Sequence, residues 1–295
     1  MAPLSSLVSV VDEVKSINQD FTFSAATNLV YKLTDDIRYF IKTKLDNGIS
    51  TSWDPSIRFA NEKQEQLWLK NLKTLINDGI NITLNISLSF ETLKLDIESL
   101  LIWVRSLGVS ELALERITEH GNAVQSNNSI PSNLEIDKWY VDLYETTQRL
   151  GARDWFYNSL LEDVLIKFEK NITNSGTFYR ACEERLFTVN SDGTVSGCPN
   201  EAPTNKYGHI DQQIQELFDS PQRIKTIVKE KIRNEQCFNC DVFGYCGSGC
   251  YQLKWEGAVC PSPKSLMRKL AKLPPLEDQK SLKSKIIPIY EVNKS

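Results

Sequence analysis

The sequence predicts an α/β fold: a partial (β/α) barrel wall, then a small cysteine-rich domain and a basic tail. Three observations carry this. From Leu7 to Leu150, short strand-like runs alternate with amphipathic segments at a spacing of roughly 25 to 35 residues, which argues parallel strands joined by helical crossovers. All seven cysteines of the 295-residue chain lie between Cys182 and Cys260. After Cys260 come a basic helical segment, Ser265 to Leu273, and a Lys-rich end. The expected boundaries are 1–175 for the barrel segment, 176–270 for the cysteine domain and 271–295 for the tail, with the stretch from Asn171 to Gly176 read as a linker.

Taken in order, Leu7, Val8, Val11, Val14 and Ile17 recur at three and four, one face of a first helix. Phe21 to Ala26 reads as a short strand. Thr34 is placed as N-cap of a second helix through Ile37, Phe40, Ile41 and Leu45, because its hydroxyl accepts from an otherwise orphaned first-turn amide. Gly48 to Asp54 is the next strand, ended by Pro55, and a helix from about Lys63 to Asn77 stops at Gly79. Asn81 to Ser89 alternates apolar and polar, the period of a strand. One helix is expected from the Ser89–Glu91 region through Leu95, Ile97, Leu100, Leu101 and Val104. A strand over Glu111 to Ile117, a polar loop from Glu119 to Asn133 and a helix from about Leu134 to Leu150 follow. These units are too few to close an eight-stranded (β/α) barrel.

The cysteines carry the chemistry. Cys237, Cys240, Cys246 and Cys250 stand at x2, x5 and x3 spacing among Gly244, Gly247 and Gly249, and Cys260 follows. Glycines let a tight loop turn several sulfurs onto one centre, so this stretch reads as a metal site. Upstream, Asp192-Gly193 reads as a hairpin turn that brings Cys182 and Cys198 together. Seven thiolates exceed one tetrahedral site, so two centres are expected, one with four ligands and one with three. By spacing alone, structural zinc competes with iron-sulfur clusters. A disulfide framework is disfavoured, since the chain shows no secretory segment.

The full pattern, Cys182-x10-Gly193-x4-Cys198, then Cys237-x2-Cys240-x5-Cys246-x3-Cys250 and Cys260, resembles the SPASM domain that follows the barrel of many radical S-adenosylmethionine (SAM) enzymes. All seven positions are filled, over residues 176–270. The resemblance implies one [4Fe-4S] cluster on Cys237, Cys240, Cys246 and Cys260. It implies a second on Cys182, Cys198 and Cys250, with no cysteine for its fourth iron.

The first half resembles the radical SAM barrel less specifically. Asn28, Ser52 and the Glu115-Arg116-Ile117 stretch fall at strand ends, where α/β barrels place their chemistry. The resemblance puts Ser52 beside bound SAM, with Asn28 and Arg58 as weaker SAM-binding candidates. A strand-end cap, a turn residue and a solvated arginine are the competing readings of the three. Met1-Ala2-Pro3-Leu4 looks like the end of the family's Gly-Gly-Glu-Pro motif, so the resemblance begins partway through the barrel. The family's Cys-x3-Cys-x2-Cys loop has no counterpart, as no cysteine precedes Cys182.

Composition narrows the rest. A net charge of −4 makes no electrostatic case for nucleic acid. No apolar run approaches the ~20 residues of a membrane span. The absence of a targeting segment points to the cytoplasm, where thiols stay reduced. The expected function is an iron-sulfur SPASM protein, an accessory or degenerate, split radical SAM maturase acting on a peptide or protein. It would be an enzyme only if a partner subunit carrying the Cys-x3-Cys-x2-Cys half supplies the SAM cluster. The alternatives are a non-catalytic iron-sulfur module that binds a peptide or protein, and a structural zinc protein.

Overall fold

The computed structural model of the chain describes residues 4–46, 48–54, 58–119, 130–171, 180–200 and 204–272. Its first part alternates helices and parallel strands: α1 (Leu4–Ile17), β1 (Ala25–Ala26), α2 (Asp35–Lys44), β2 (Ile49–Ser52), α3 (Glu62–Asn77), β3 (Ile82–Ser87), α4 (Phe90–Leu93), α5 (Ile97–Leu107), β4 (Glu111–Glu115), α6 (Asn133–Leu150), β5 (Tyr157–Asn158) and α7 (Ser159–Lys170). The five strands pair in sequence order, all parallel, with Ile49 opposite Ile82 and Leu84 opposite Leu112. This singly wound order aligns every strand C-terminus along one rim, from Ser52 on β2 to Glu115 on β4.

Local chemistry sets the boundaries. The hydroxyl of Thr34 accepts from the amide of Ile37 and starts α2. Asn61 caps α3 in the same manner. A capping box starts α6, where the Ser132 hydroxyl accepts from the amide of Glu135 and the Glu135 carboxylate accepts from the amide of Ser132. The alternation along β3 turns Ile82, Leu84 and Ile86 fully into the core, against Trp68, Leu72 and Leu75 of α3. The Trp68 indole donates to the Thr51 hydroxyl at 2.9 Å, which satisfies a donor that would otherwise be buried without a partner.

Several expectations needed correction. The single helix through Leu95 is two: Ser89 caps α4, the chain turns at Lys94 to Asp96, and the Asp96 carboxylate caps α5 by accepting from Ser99 at 2.8 Å. Two cap residues seven positions apart outweigh a continuous apolar period. The strand over Phe21 to Ala26 contracts to Ala25–Ala26, the part that pairs with β2. Beyond Leu150 the alternation continues with β5 and α7, and Asn158 caps that helix. A two-residue strand leaves no periodicity to read. Residues 1–3, positions 120–129 of the expected polar loop, most of the expected linker and the tail from 273 lie outside the described residues.

The second part holds α8 (Cys182–Arg185), the antiparallel strands β6 (Thr188–Val189), β7 (Thr194–Ser196) and β8 (Lys206–His209), then α9 (Ile214–Phe218), α10 (Pro221–Lys231), α11 (Phe243–Cys246) and α12 (Lys264–Ala271). The expected hairpin at Asp192-Gly193 is present as β6 and β7, with the Asp192 carboxylate accepting from the amide and hydroxyl of Thr194. Leu266, Met267 and Leu270 of α12, with Val242 and Cys246, join the same apolar core as the barrel strands.

Leu84, at the centre of β3, has no exposed surface. Leu84→Ala removes a buried side chain and leaves a cavity, so it should destabilise the protein by about 2–5 kcal/mol. A drop in the chemical denaturation midpoint at unchanged slope is the expected reading.

Candidate metal centre

The seven cysteines fall into two groups. Cys237, Cys240, Cys246 and Cys260 line one cavity of about 80 Å³, bordered by Phe243, Trp255 and Lys264. Cys182 lies with Cys198 and Cys250: burial first, then the charges of Glu230, Cys198 and Cys250, push its thiol up to about 12. Burial likewise raises Cys246, with Cys260 and Cys237 adding, and raises Cys260, with Asp137 and Cys240 adding. Cys250 is raised by burial as well. Cys182, Cys246 and Cys260 thus each feel other cysteines of their own group. Buried thiols held high need a cation to become thiolates, and a bound metal cluster is the occupant that supplies one. The donor set therefore fits iron-sulfur centres.

Backbone geometry explains the convergence. Between Cys246 and Cys250 the chain runs through three successive left-handed residues, Gly247, Ser248 and Gly249, and Cys246 lines the smaller cavity while Cys250 lines a second one. A Cβ on Gly249 would meet the Ser262 hydroxyl oxygen at 2.3 Å. Arg180 holds this loop. It is buried, and its guanidinium donates to the carbonyls of Gly249 (2.6 Å), Ser248 (3.0 Å), Glu230 (3.0 Å) and Ile232 (2.7 Å). Its charge lies within reach of Cys250 of one group and of Cys237 and Cys246 of the other.

The cysteine loops are fastened to the barrel rim through Asn133. Its amide donates to Glu256, its side chain donates to the carbonyls of Lys254 and Val259, and its carbonyl oxygen accepts from Arg116 at 2.7 Å. Arg116 also donates to the carbonyl of Pro261, next to Cys260. Between rim and loops lies a cavity of about 400 Å³, walled by Glu115, Arg116 and Asp163 on the barrel side and by Asn200, Cys250 and Leu253 on the other. Burial raises the Glu115 carboxyl, and Asp54 adds to it.

The barrel candidates lie apart from the cysteines. Ser52 ends β2, half-buried opposite Asn85. The Asn28 side chain accepts from the amide of Val30 at 3.1 Å, a local turn. Arg58 pairs with Asp54 at 3.8 Å. The sequence reading missed Arg180, Asn133 and the buried carboxylates Glu183 and Glu230. A buried charged residue has the same one-letter code as a solvated one, so no pattern marked them.

Residues 182–241 match the SPASM iron-sulfur cluster-binding domain; Cys246, Cys250 and Cys260 lie beyond the matched segment. No curated protein matches the chain. Among solved structures, native anSMEcpe with bound AdoMet is similar at 16% identity and a TM-score of 0.72, over 90% of this chain and 76% of that one. The same protein with bound AdoMet and Cp18Cys peptide is similar at 15% identity and a TM-score of 0.70, over 91% and 78%. SuiB of Streptococcus suis bound to precursor peptide SuiA is similar at 13% identity and a TM-score of 0.54, over 83% and 57%. At such identities the likeness shows the fold. The segment 182–241 is thus similar to the SPASM iron-sulfur cluster-binding domain, and the chain shares the α/β fold of anSMEcpe and SuiB.

Arg180→Ala would take a donor from four carbonyls, of which Glu230 keeps Arg233, at about 1–3 kcal/mol for each that is left buried with no other partner. Because the loop carries members of both groups, iron bound per chain should fall at both centres. Iron analysis of the variant against the parent measures this.

Proposed function

We propose that the chain is an iron-sulfur SPASM protein of the radical SAM maturase type that acts on a peptide or protein, working as an accessory or split subunit. The observation that carries the reading is the segregation of seven cysteines into four around one cavity and three that lie together, of which Cys250 walls a larger cavity. Cys237, Cys240, Cys246 and Cys260 would hold one [4Fe-4S] cluster, and Cys182, Cys198 and Cys250 the other. When bound, such clusters supply one-electron transfer and, at an iron without a cysteine, a free ligand position.

The chain's own residues suit the substrate role. The cavity of about 400 Å³ is the size of a small part of a peptide, and Glu115, Asp163 and Ser159 give it polar walls. It sits between the strand ends and Cys250, so a residue held there is shielded from water by both parts of the chain. The solved relatives are described with bound AdoMet and, for some, a peptide, which supports the same ligand classes here. No cysteine precedes Cys182, so the reducing cluster for SAM would come from a partner subunit or from residues beyond this sequence. With Asn28 and Arg58 engaged locally, Ser52 is left to contribute a hydrogen bond worth roughly 0.5–1.5 kcal/mol, too little to hold SAM tightly. Among the described residues no helix is long and apolar enough to cross a membrane. We place the chain in the cytoplasm, with the division between its two parts near residue 175.

Anaerobic reconstitution should load about eight iron per chain with broad absorption at roughly 400 nm. Cys240→Ala should remove one centre and Cys198→Ala the other. One or two equivalents of zinc with negligible iron would overturn the reading. The reduced, purified chain should produce no 5′-deoxyadenosine from SAM; robust cleavage in the absence of any partner would refute the accessory role.

A further inference from the structure

One side chain touches all three segments that bear the smaller cysteine group. Glu183 follows Cys182 directly on α8 and has no exposed surface. Its carboxylate accepts from the amide of Cys198, 3.3 Å from each oxygen, and from the hydroxyl of Tyr251, the neighbour of Cys250. Gly197 is shaped to this carboxylate, since a Cβ there would lie 1.8 Å from its Oε2. A second buried carboxylate, Glu230 of α10, accepts from the amides of Cys182 (2.9 Å) and Glu183 (3.1 Å) and fixes α8 from behind. The larger group has a different border: Lys264 lines its cavity, and the carboxylate next to Cys240, Asp241, is exposed and paired with Arg268.

We propose that Glu183 is the positioning residue of the Cys182/Cys198/Cys250 centre. Its carboxylate sets the mutual placement of the three cysteine segments, and its charge holds that centre's reduction potential below the value the same three thiolates give alone. The physical basis is twofold. A carboxylate that takes hydrogen bonds from two different segments restricts both to one arrangement, which matters most where only three cysteines fix a cluster. A negative charge beside a cluster disfavours the added electron, and burial weakens the screening of that effect by water.

This rests on the two-cluster reading and goes beyond it. The test is an EPR-monitored redox titration of the anaerobically reconstituted full chain, with iron analysis of each variant. Glu183→Gln keeps one acceptor oxygen for Tyr251 and Cys198, puts an amide NH2 in place of the other and removes the charge. It should retain the parent's iron and move one midpoint to higher potential, the midpoint that is lost in Cys198→Ala. The midpoint lost in Cys240→Ala should stay in place. Glu183→Ala, and Gly197→Ala through displacement of the carboxylate, should lose about half the iron, that of one centre in two. If Glu183→Ala fails to fold, Glu183→Gln decides alone. Two midpoints unchanged in Glu183→Gln, or both shifted equally, overturn this proposal while leaving the clusters standing. A parent chain that takes up no iron overturns both.

Discussion

A buried guanidinium is stable only when its donors are satisfied, and Arg180 meets that condition with main-chain carbonyls alone. Two of the carbonyls, Ser248 and Gly249, belong to the left-handed loop between Cys246 and Cys250. The other two, Glu230 and Ile232, end α10, and the Lys231 ammonium in turn donates to the carbonyl of Arg180 at 2.6 Å. The loop between Cys246, on the smaller cavity, and Cys250, on the larger, is therefore fixed to the helix that carries Glu230. Glu230 holds the amides of Cys182 and Glu183, and Glu183 reaches Cys198. A single chain of buried polar contacts runs from the barrel-side approach at Arg180 through every segment of the smaller cysteine group.

The same logic joins the two parts of the molecule. Asn133 uses its amide and both polar atoms of its side chain, and all of its partners sit on the other part or on the rim residue Arg116. The Ser265 amide and hydroxyl donate to the Asp137 carboxylate, and Phe168 stacks on Tyr245 with ring centroids 4.2 Å apart. Behind these contacts α12 shares the apolar core of the barrel strands. The cavity between rim and cysteine loops is thus walled by parts that cannot move independently without opening polar contacts and apolar packing together.

Much of the fold was legible because it rests on local signals. The alternation at Ile82, Leu84 and Ile86, the caps at Thr34 and Ser132 and the turn at Asp192-Gly193 are each written in a few adjacent residues. The elements misjudged were those where local signals compete or vanish. Ser89 and Asp96 interrupt an apolar period that otherwise reads as one helix. Tyr157 and Asn158 form a strand only because Glu111 and Leu112 lie beside them. Among the site residues the cysteines announced themselves by type and spacing. Asn28 and Arg58 carry no such pattern, and their side chains meet Val30 and Asp54 a few residues away.

The sequence by itself determined the α/β class, the crossover pattern and the seven-cysteine motif, since hydrophobic period, caps and residue spacing are properties of short stretches. Only the tertiary structure decided what surrounds the cysteines. Arg180 lies dozens of residues from Gly249, and Glu183 lies as far from Tyr251; nothing in either stretch indicates the other. Which charged residues are buried, and what they hold, follows from long-range packing that brings a donor and an acceptor together away from water. That packing makes Glu183 a hub of one centre and leaves Glu184, its neighbour in sequence, in an exposed ion pair with Lys231.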